Sequence, residues 1–372
     1  MQMKIKPATR QYELWLGSRI PLVRADLVLK HAFMTRDVFS FLRATFYRWA
    51  QVWPQVCTDL ALAPVVLAVG DLHVANFGTW RDREGRLIWG INDFDEAYPL
   101  PYTNDLVRLA VSAVLAINAQ HLTIRPKTAY DAILTGYMDG LKSKGQPFVL
   151  AEHHRWLRKI ATSTLRDPIR FWHTMQALPL VKGSIPARAR AALEQLMPEP
   201  GLSYRLRRRV AGMGSLGRPR YVALGMWQGD NIAREAKALA PSACVWVNEG
   251  RGPNTIMYQS IVDQAVRSRD PFVQVLDNWI VRRLAPYCSR IELALLPKKR
   301  NEGRLLYAMG WETANIHLGS RRAIKAVHHD MSKRKANWLR IATKSMMKVT
   351  TSDWTEWGDS ISRKARTRQG VQ

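Results

Sequence analysis

Hydrophobic positions change their period several times along the chain, and the changes mark out its elements. From Thr35 to Val52 the apolar residues Val38, Phe41, Leu42, Phe46, Trp49 and Val52 fall on one helical stripe. Asp37 lies near its start, where an acid suits the helix dipole. Arg43 and Arg48 lie off the stripe, which predicts exposed, solubilising side chains; Arg43 alternatively faces a phosphate site. Residues 64–69, Pro-Val-Val-Leu-Ala-Val, are too short and too β-branched for a helix and predict a buried strand. Phe77–Trp80 and Leu87–Ile91 flank Asp82-Arg83-Glu84-Gly85, a hairpin pattern. After a break at Pro99–Asn104, with Thr103 or Asn104 as candidate cap, Asp105–Asn118 is apolar almost all round and predicts a buried helix. Residues 126–200 read as helical segments broken by Pro168, Pro179, Pro186 and Pro198, without a chemical motif. Strands are predicted over Tyr221–Leu224, in the segment ending at Lys237, and over Trp279–Leu284. Helices are predicted over Thr255–Arg269 and Leu305–Leu318, with His317 packed or capping near the end of the latter. Lys298-Lys299-Arg300 marks a loop, and the basic, partly amphipathic tail from Arg321 is predicted to fray over Arg363–Arg368.

The predicted strand and hairpin place polar groups at strand ends. Gly70-Asp71 follows the first strand, Asn76 stands five residues beyond the Asp, and Asn92-Asp93-Phe94-Asp95-Glu96 follows the hairpin. Phosphoryl transfer needs such a set. Asp71 would orient an acceptor hydroxyl and take its proton, while Asn76 and Asp93 supply oxygen ligands to Mg²⁺, with Asp95 bridging a second ion. The plainer alternative is that Asp71 and Asn76 cap turns and that Asp93 and Asp95 are solvated loop acids. A second glycine-rich stretch, Gly212-Met213-Gly214-Ser215-Leu216-Gly217, leads through Arg218-Pro219-Arg220 into a strand and not a helix, which argues against a dinucleotide fold. No Gly-Lys-Ser/Thr ending marks a P-loop. A glycine turn between strands is the arrangement that covers nucleotide phosphates in protein kinases.

Asp71-Leu72-His73-Val74-Ala75-Asn76 followed by Asp93-Phe94-Asp95 resembles the kinase signature D-L-x-x-x-N with D-F-G. It is still more similar to the aminoglycoside-phosphotransferase branch of the kinase-like superfamily, with Val69 in place of the His that usually precedes the loop. The resemblance implies that Gly212, Gly214, Ser215, Gly217 and Lys237 bind ATP. The acidic partner of Lys237 stays open among Glu235, Glu249 and Asp263. Asp105 stands where related phosphotransferases hold the catalytic loop; a simple helix N-terminal charge effect is the other reading. Across roughly residues 30 to 320 the chain also resembles the bacterial domain of unknown function 2252, through GDLHVANFG, NDFDEA, NDLVRLAVS, GMGSLG and Lys237 with Pro241-Ser242. The implied fold is α+β and two-lobed, protein kinase-like, with the nucleotide-loop lobe after the catalytic motifs in permuted order. Its expected parts are a helix-rich catalytic lobe over 1–200, a β-rich nucleotide lobe over 201–300, and a helical return with a basic tail over 301–372.

Composition bounds this reading. The 372 residues, 47% hydrophobic, suffice for two ordered lobes. Three scattered cysteines make disulfides and a zinc site poor expectations. The start lacks the apolar core of a signal peptide and no run reaches a membrane span, so a cytoplasmic location and no membrane partner are expected. A net charge of +26 favours anionic partners without choosing among them. The expected function is Mg²⁺-ATP-dependent transfer of a phosphoryl group to an unidentified acceptor hydroxyl. Nucleotidyl transfer on the same fold is an alternative, as is a basic nucleic-acid-binding protein with a relic nucleotide site. The basic tail is the candidate surface for nucleic acid or an acidic partner.

Overall fold

The computed structural model describes residues 3–150, 154–161, 167–286, 288 and 301–369. The architecture is mixed α+β. Strand β1 (Val65–Ala68) pairs antiparallel with β4 (Tyr98–Pro101), while β2 (Phe77–Arg81) and β3 (Leu87–Ile91) form the expected hairpin, extended by β5 (Phe148–Val149). The hairpin turns where Gly85 N–H donates to Asp82 O and the Asp82 carboxylate takes the Arg86 amide. β1 is shorter and less buried than its six-residue apolar run predicts, because its one neighbour leaves Val65 exposed.

The second sheet has five antiparallel strands. They are β6 (Tyr204–Arg208), β7 (Arg220–Trp227), β8 (Asp230–Ala238), β9 (Gln274–Leu276) and β10 (Trp279–Leu284), in the order β6-β7-β8-β10-β9. The glycine-rich turn connects β6 to β7, and Lys237 lies on the third strand, opposite Arg220 of β7 and Ile280 of β10.

The helical stripe over Thr35–Val52 is three helices, Arg24–Arg36, Val38–Ala44 and Phe46–Val56. Asp37 breaks the first by turning extended, and its carboxylate then caps the second through the Ser40 amide at 2.7 Å. Arg48 is not solvated: it is buried and grips Asp353 through Nε and Nη2 at 2.8 and 3.0 Å. Arg43 is half-buried.

The long buried helix runs Tyr102–Asn118, so Thr103 and Asn104 lie inside its first turn and neither caps it. Their side chains instead tie the helix to its surroundings, Thr103 to Leu60 O and Asn104 to Trp49 and Gly70. The helix predicted over Thr255–Arg269 is limited to Tyr258–Gln264, since Ala265 turns extended. Pro168 begins the helix Pro168–Gln176, where its missing N–H costs nothing at a first turn. Lys298, Lys299 and Arg300 lie outside the described residues.

The tail is not frayed in backbone: a helix spans Trp338–Gln369. It packs on the N-terminal helices, with Trp357 Nε1 donating to His31 O. No described helix is long and apolar enough to cross a membrane.

Candidate active site

The loop after β1 is held from below by Asp105. This carboxylate is fully buried, takes the amides of Val69 at 2.7 Å and Gly70 at 3.0 Å, and contacts His317 Nε2 at 3.1 Å. His317 in turn meets Tyr137 Oη through Nδ1 at 2.9 Å, so it is packed into a buried relay and does not cap its helix. Of the two readings of Asp105, loop holding describes its contacts. Gly70 takes φ +77°, and a Cβ there would lie 2.4 Å from Glu96 O, so the loop meets the metal-motif segment at a point where only glycine fits.

Asp71 comes next. Its Oδ1 accepts from Arg108 Nε at 2.9 Å and also from Arg108 Nη2. Arg108 is wholly buried, its guanidinium 5.1 Å from the Phe46 ring and 4.9 Å from that of Trp49. Both hydrogen bonds go to one oxygen, which leaves Oδ2 directed elsewhere. Burial raises the Asp71 carboxyl to about 6 against the opposing pull of Arg108. A carboxylate with that value near neutral pH suits a general base.

Asn76 is buried, and its Oδ1 accepts from His73 N at 2.9 Å, bracing the loop. Asp93 Oδ1 lies 3.8 Å from Lys237 Nζ. Both oxygens of Asp95 face Lys237 Nζ, at 2.5 and 2.6 Å, and Arg218 Nη1 lies 3.6 Å from Oδ2. The partner of Lys237 is therefore Asp95, with Asp93 beside it, and none of the three acids considered from the sequence. Glu235 is enclosed instead by Arg209 at 2.5 Å, Arg220 at 2.8 Å and Arg282 at 3.7 Å. Glu249 and Asp263 pair with Arg251 and Arg269 near the surface. Among the described residues no three His, Cys, Asp or Glu side chains gather as a ready metal cage. Asp93 with the Asn76 amide remains a pair of hard oxygen donors, which is how Mg²⁺ is usually held beside substrate phosphates.

The glycine turn closes over these groups. Met213–Ser215 forms a single 3₁₀ turn, and a Cβ on Gly214 would stand 3.0 Å from Arg43 O and 3.4 Å from Asp71 Oδ2. Ser215 Oγ accepts from Arg220 Nη2 at 2.9 Å, linking the turn to the arginines around Glu235. Gly217 O accepts from Val23 N, which fixes the far end of the turn to the N-terminal helices.

The cavity between them, partly open to solvent, is lined by Asp71, Asn76, Asp93, Asp95, Gly212, Gly214 and Ser215 from the predicted set. Lys237 sits one layer behind, 1% exposed, and Gly217 is not among the lining residues. The lining also includes Arg43, Glu96 from the end of the NDFDEA stretch, and three residues that carried no motif: Tyr12, Lys30 and Arg218. Glu96 binds Arg218 Nη2 at 3.1 Å and the Ala243 amide at 2.6 Å, and burial raises it to about 7. Burial draws Lys30 down to about 8. The free volume is about 30 Å³, which a few water molecules fill at about 10–15 Å³ each.

Residues 22–147 match the model of a bacterial family described as an uncharacterized protein conserved in bacteria (DUF2252). The chain carries a DUF2252-like segment. That segment takes in Asp71, Asn76, Asp93, Asp95, Asp105 and Arg108, and stops before the glycine turn and Lys237. The likeness is thus narrower than the sequence motifs suggested. No curated protein and no solved structure matches the chain.

Proposed function

We propose that the chain is a Mg²⁺-ATP-dependent phosphotransferase with a kinase-like fold whose lobes follow in permuted order. The observation that carries the reading is the packing of Gly214 against Asp71 Oδ2, across 143 positions of chain (214 minus 71), in a cavity that Asp93 also lines. A glycine turn between the first two strands of a five-stranded sheet, and a lysine on the third, is the phosphate-covering arrangement of kinases. In this reading Asp71 Oδ2 takes the proton of the acceptor hydroxyl, and Arg108 fixes the carboxylate through its other oxygen. Asp93 and Asn76 would hold the ion, which would neutralise phosphate charge. Lys237 turns from Asp95 to the nucleotide phosphates. Backbone amides of Gly212–Ser215 cover them.

Asp71→Asn keeps the shape and removes the base. ATP consumption with a cell extract as acceptor source should fall by about 10²–10⁴-fold. Thermal stabilisation by Mg²⁺-ATP should persist. Equal consumption by wild type and variant above background overturns the assignment of Asp71.

A further inference from the structure

A second cavity lies behind the metal motif, between the hairpin and the far edge of the five-stranded sheet, and its chemistry is that of an anion site. Its lining includes Arg267, Arg282 and Arg283, walls from Trp80 and Phe94, and Asn92. Asp93 faces the first cavity, while its neighbours Asn92 and Phe94 line the second.

The three guanidinium groups are not used up by the protein. Arg267 Nη2 donates to Ile91 O at 2.9 Å, but its Nε and Nη1 are buried without a hydrogen-bond partner. Arg282 Nε and Nη2 are likewise buried without one; the nearest carboxylate, Glu235, is 3.7 Å from Nε and already holds Arg209 and Arg220. Arg283 Nε is a fifth such donor. Asp270 is the acidic residue of the lining, and its Oδ1 accepts from Phe272 N at 2.9 Å. Asp270 faces all three cations, while Glu312 acts on Arg267 and Glu235 on Arg282 from outside the lining, so what marks the site is its unpartnered N–H donors and not a surplus of charge. A buried unpaired donor is costly, and more so when charged, so five of them in one place call for an occupant.

Aromatic faces hold the arginines in place. The Arg267 guanidinium is 4.6 Å from the Trp80 ring centre and 5.0 Å from that of Phe94, and Arg283 is 4.2 Å from Phe272. The free volume is about 50 Å³, room for a compact anion. Asn92 Oδ1, also buried and unpartnered, offers an acceptor to any hydroxyl the anion carries.

We propose that Arg267, Arg282 and Arg283 bind a phosphate group, free or as a small phosphomonoester, at a site separate from Asp71. Arginine forks suit phosphate because they offer paired N–H donors in one plane.

The test is titration of the full chain with inorganic phosphate at constant ionic strength, read by calorimetry and by melting temperature, with chloride as control. Wild type should bind phosphate and respond little to chloride. Arg283→Met should weaken binding by at least about tenfold, and Arg283→Lys by less, since charge is kept and the fork is lost. Asp71→Asn and Lys237→Met should leave phosphate affinity unchanged. Glycerol 3-phosphate beside free phosphate separates the two sources: tighter binding of the ester assigns the site to a phosphomonoester, equal or weaker binding to the free anion. If Arg283→Met does not unfold cooperatively, Arg267→Met replaces it with the same expectation. Loss of binding in Lys237→Met with Arg283→Met unaffected would place the anion in the first cavity and overturn the proposal, as would equal responses to chloride and phosphate.

Discussion

Asp105→Asn tests the part of the site that the fold holds most tightly. The two carboxylate oxygens meet four groups: the amides of Val69 and Gly70, the Asn104 Nδ2 at 3.1 Å, and His317 Nε2 at 3.1 Å. Asparagine keeps the volume but turns one acceptor into a donor. With its nitrogen on the His317 side, the imidazole can change tautomer and accept, because Tyr137 Oη either donates or accepts at Nδ1. The Val69 N–H then faces another donor and is orphaned. One buried orphan costs about 1–3 kcal/mol, and replacing charge-assisted bonds by neutral ones adds about 1 kcal/mol. The expected loss is about 2–4 kcal/mol. Urea unfolding followed by tryptophan fluorescence, extrapolated linearly for both proteins, measures it. Under the proposed function ATP consumption falls too, since Val69-Gly70 positions Asp71 and small displacements cost about 10²-fold. A stability loss below about 1 kcal/mol would refute the claim that Asp105 holds this loop through those amides.

ATP should raise the melting temperature clearly more with Mg²⁺ than with EDTA, because Asp93 and Asp95 repel phosphates unless an ion intervenes; equal shifts count against the metal role. Burial raises Asp71 to about 6 and Glu96 and Glu312 to about 7. The folded chain therefore keeps protons that the unfolded chain has already released, so these groups' contribution to stability is lost as pH rises from the ordinary carboxylate range through about 7. The urea midpoint should be higher at pH 5.5 than at pH 7.5, and a midpoint that climbs over that interval contradicts the sign. Ending the chain at Lys348 removes Asp353 and strands the buried Arg48, at an expected cost of about 3–5 kcal/mol. Ending it at Ser362 spares that pair and should leave stability and any ATP binding intact while weakening salt-sensitive retention of nucleic acid; loss of ATP binding on that shorter deletion refutes the separation of tail from site.

What the sequence made legible is what is local. The hairpin follows from strand-like runs on either side of Asp82–Gly85, and Asp71, Asn76 and Asp93 gather because short strands and one turn leave them nowhere else to go. Lys237 shows where this stops. Alternation puts Glu235 on the same face of β8, which made it a natural candidate partner. The sheet instead brings Arg220 and Arg282 to Glu235, and Asp95 reaches Lys237 from another part of the chain. Arg108 was visible only as a charge within an apolar helix, an anomaly whose meaning depends on Phe46, Trp49 and Asp71 arriving around it. The same holds for Arg48: its partner lies 305 residues away, in a tail whose basic composition hid one buried acid.

The site as folded is already close to electrostatic balance. Asp71 has Arg108, Glu96 has Arg218, and Asp95 has Lys237 with Arg218 nearby. Lys30 adds a further positive charge to the lining, and Asp93 a further negative one. Under the proposed function, a nucleotide entering such a cavity would exchange partners more than add them: Lys237 would leave Asp95 for a phosphate, and the released carboxylate would then need a cation of its own. In that reading Mg²⁺ would fill the need, held by Asp93 and Asp95, which stand two residues apart in the sequence. The ion and the nucleotide would then be thermodynamically coupled, each raising the affinity of the other by the same factor. The lysine–aspartate pair acts as a latch closed by its own charges, and the proposed reaction begins with its opening.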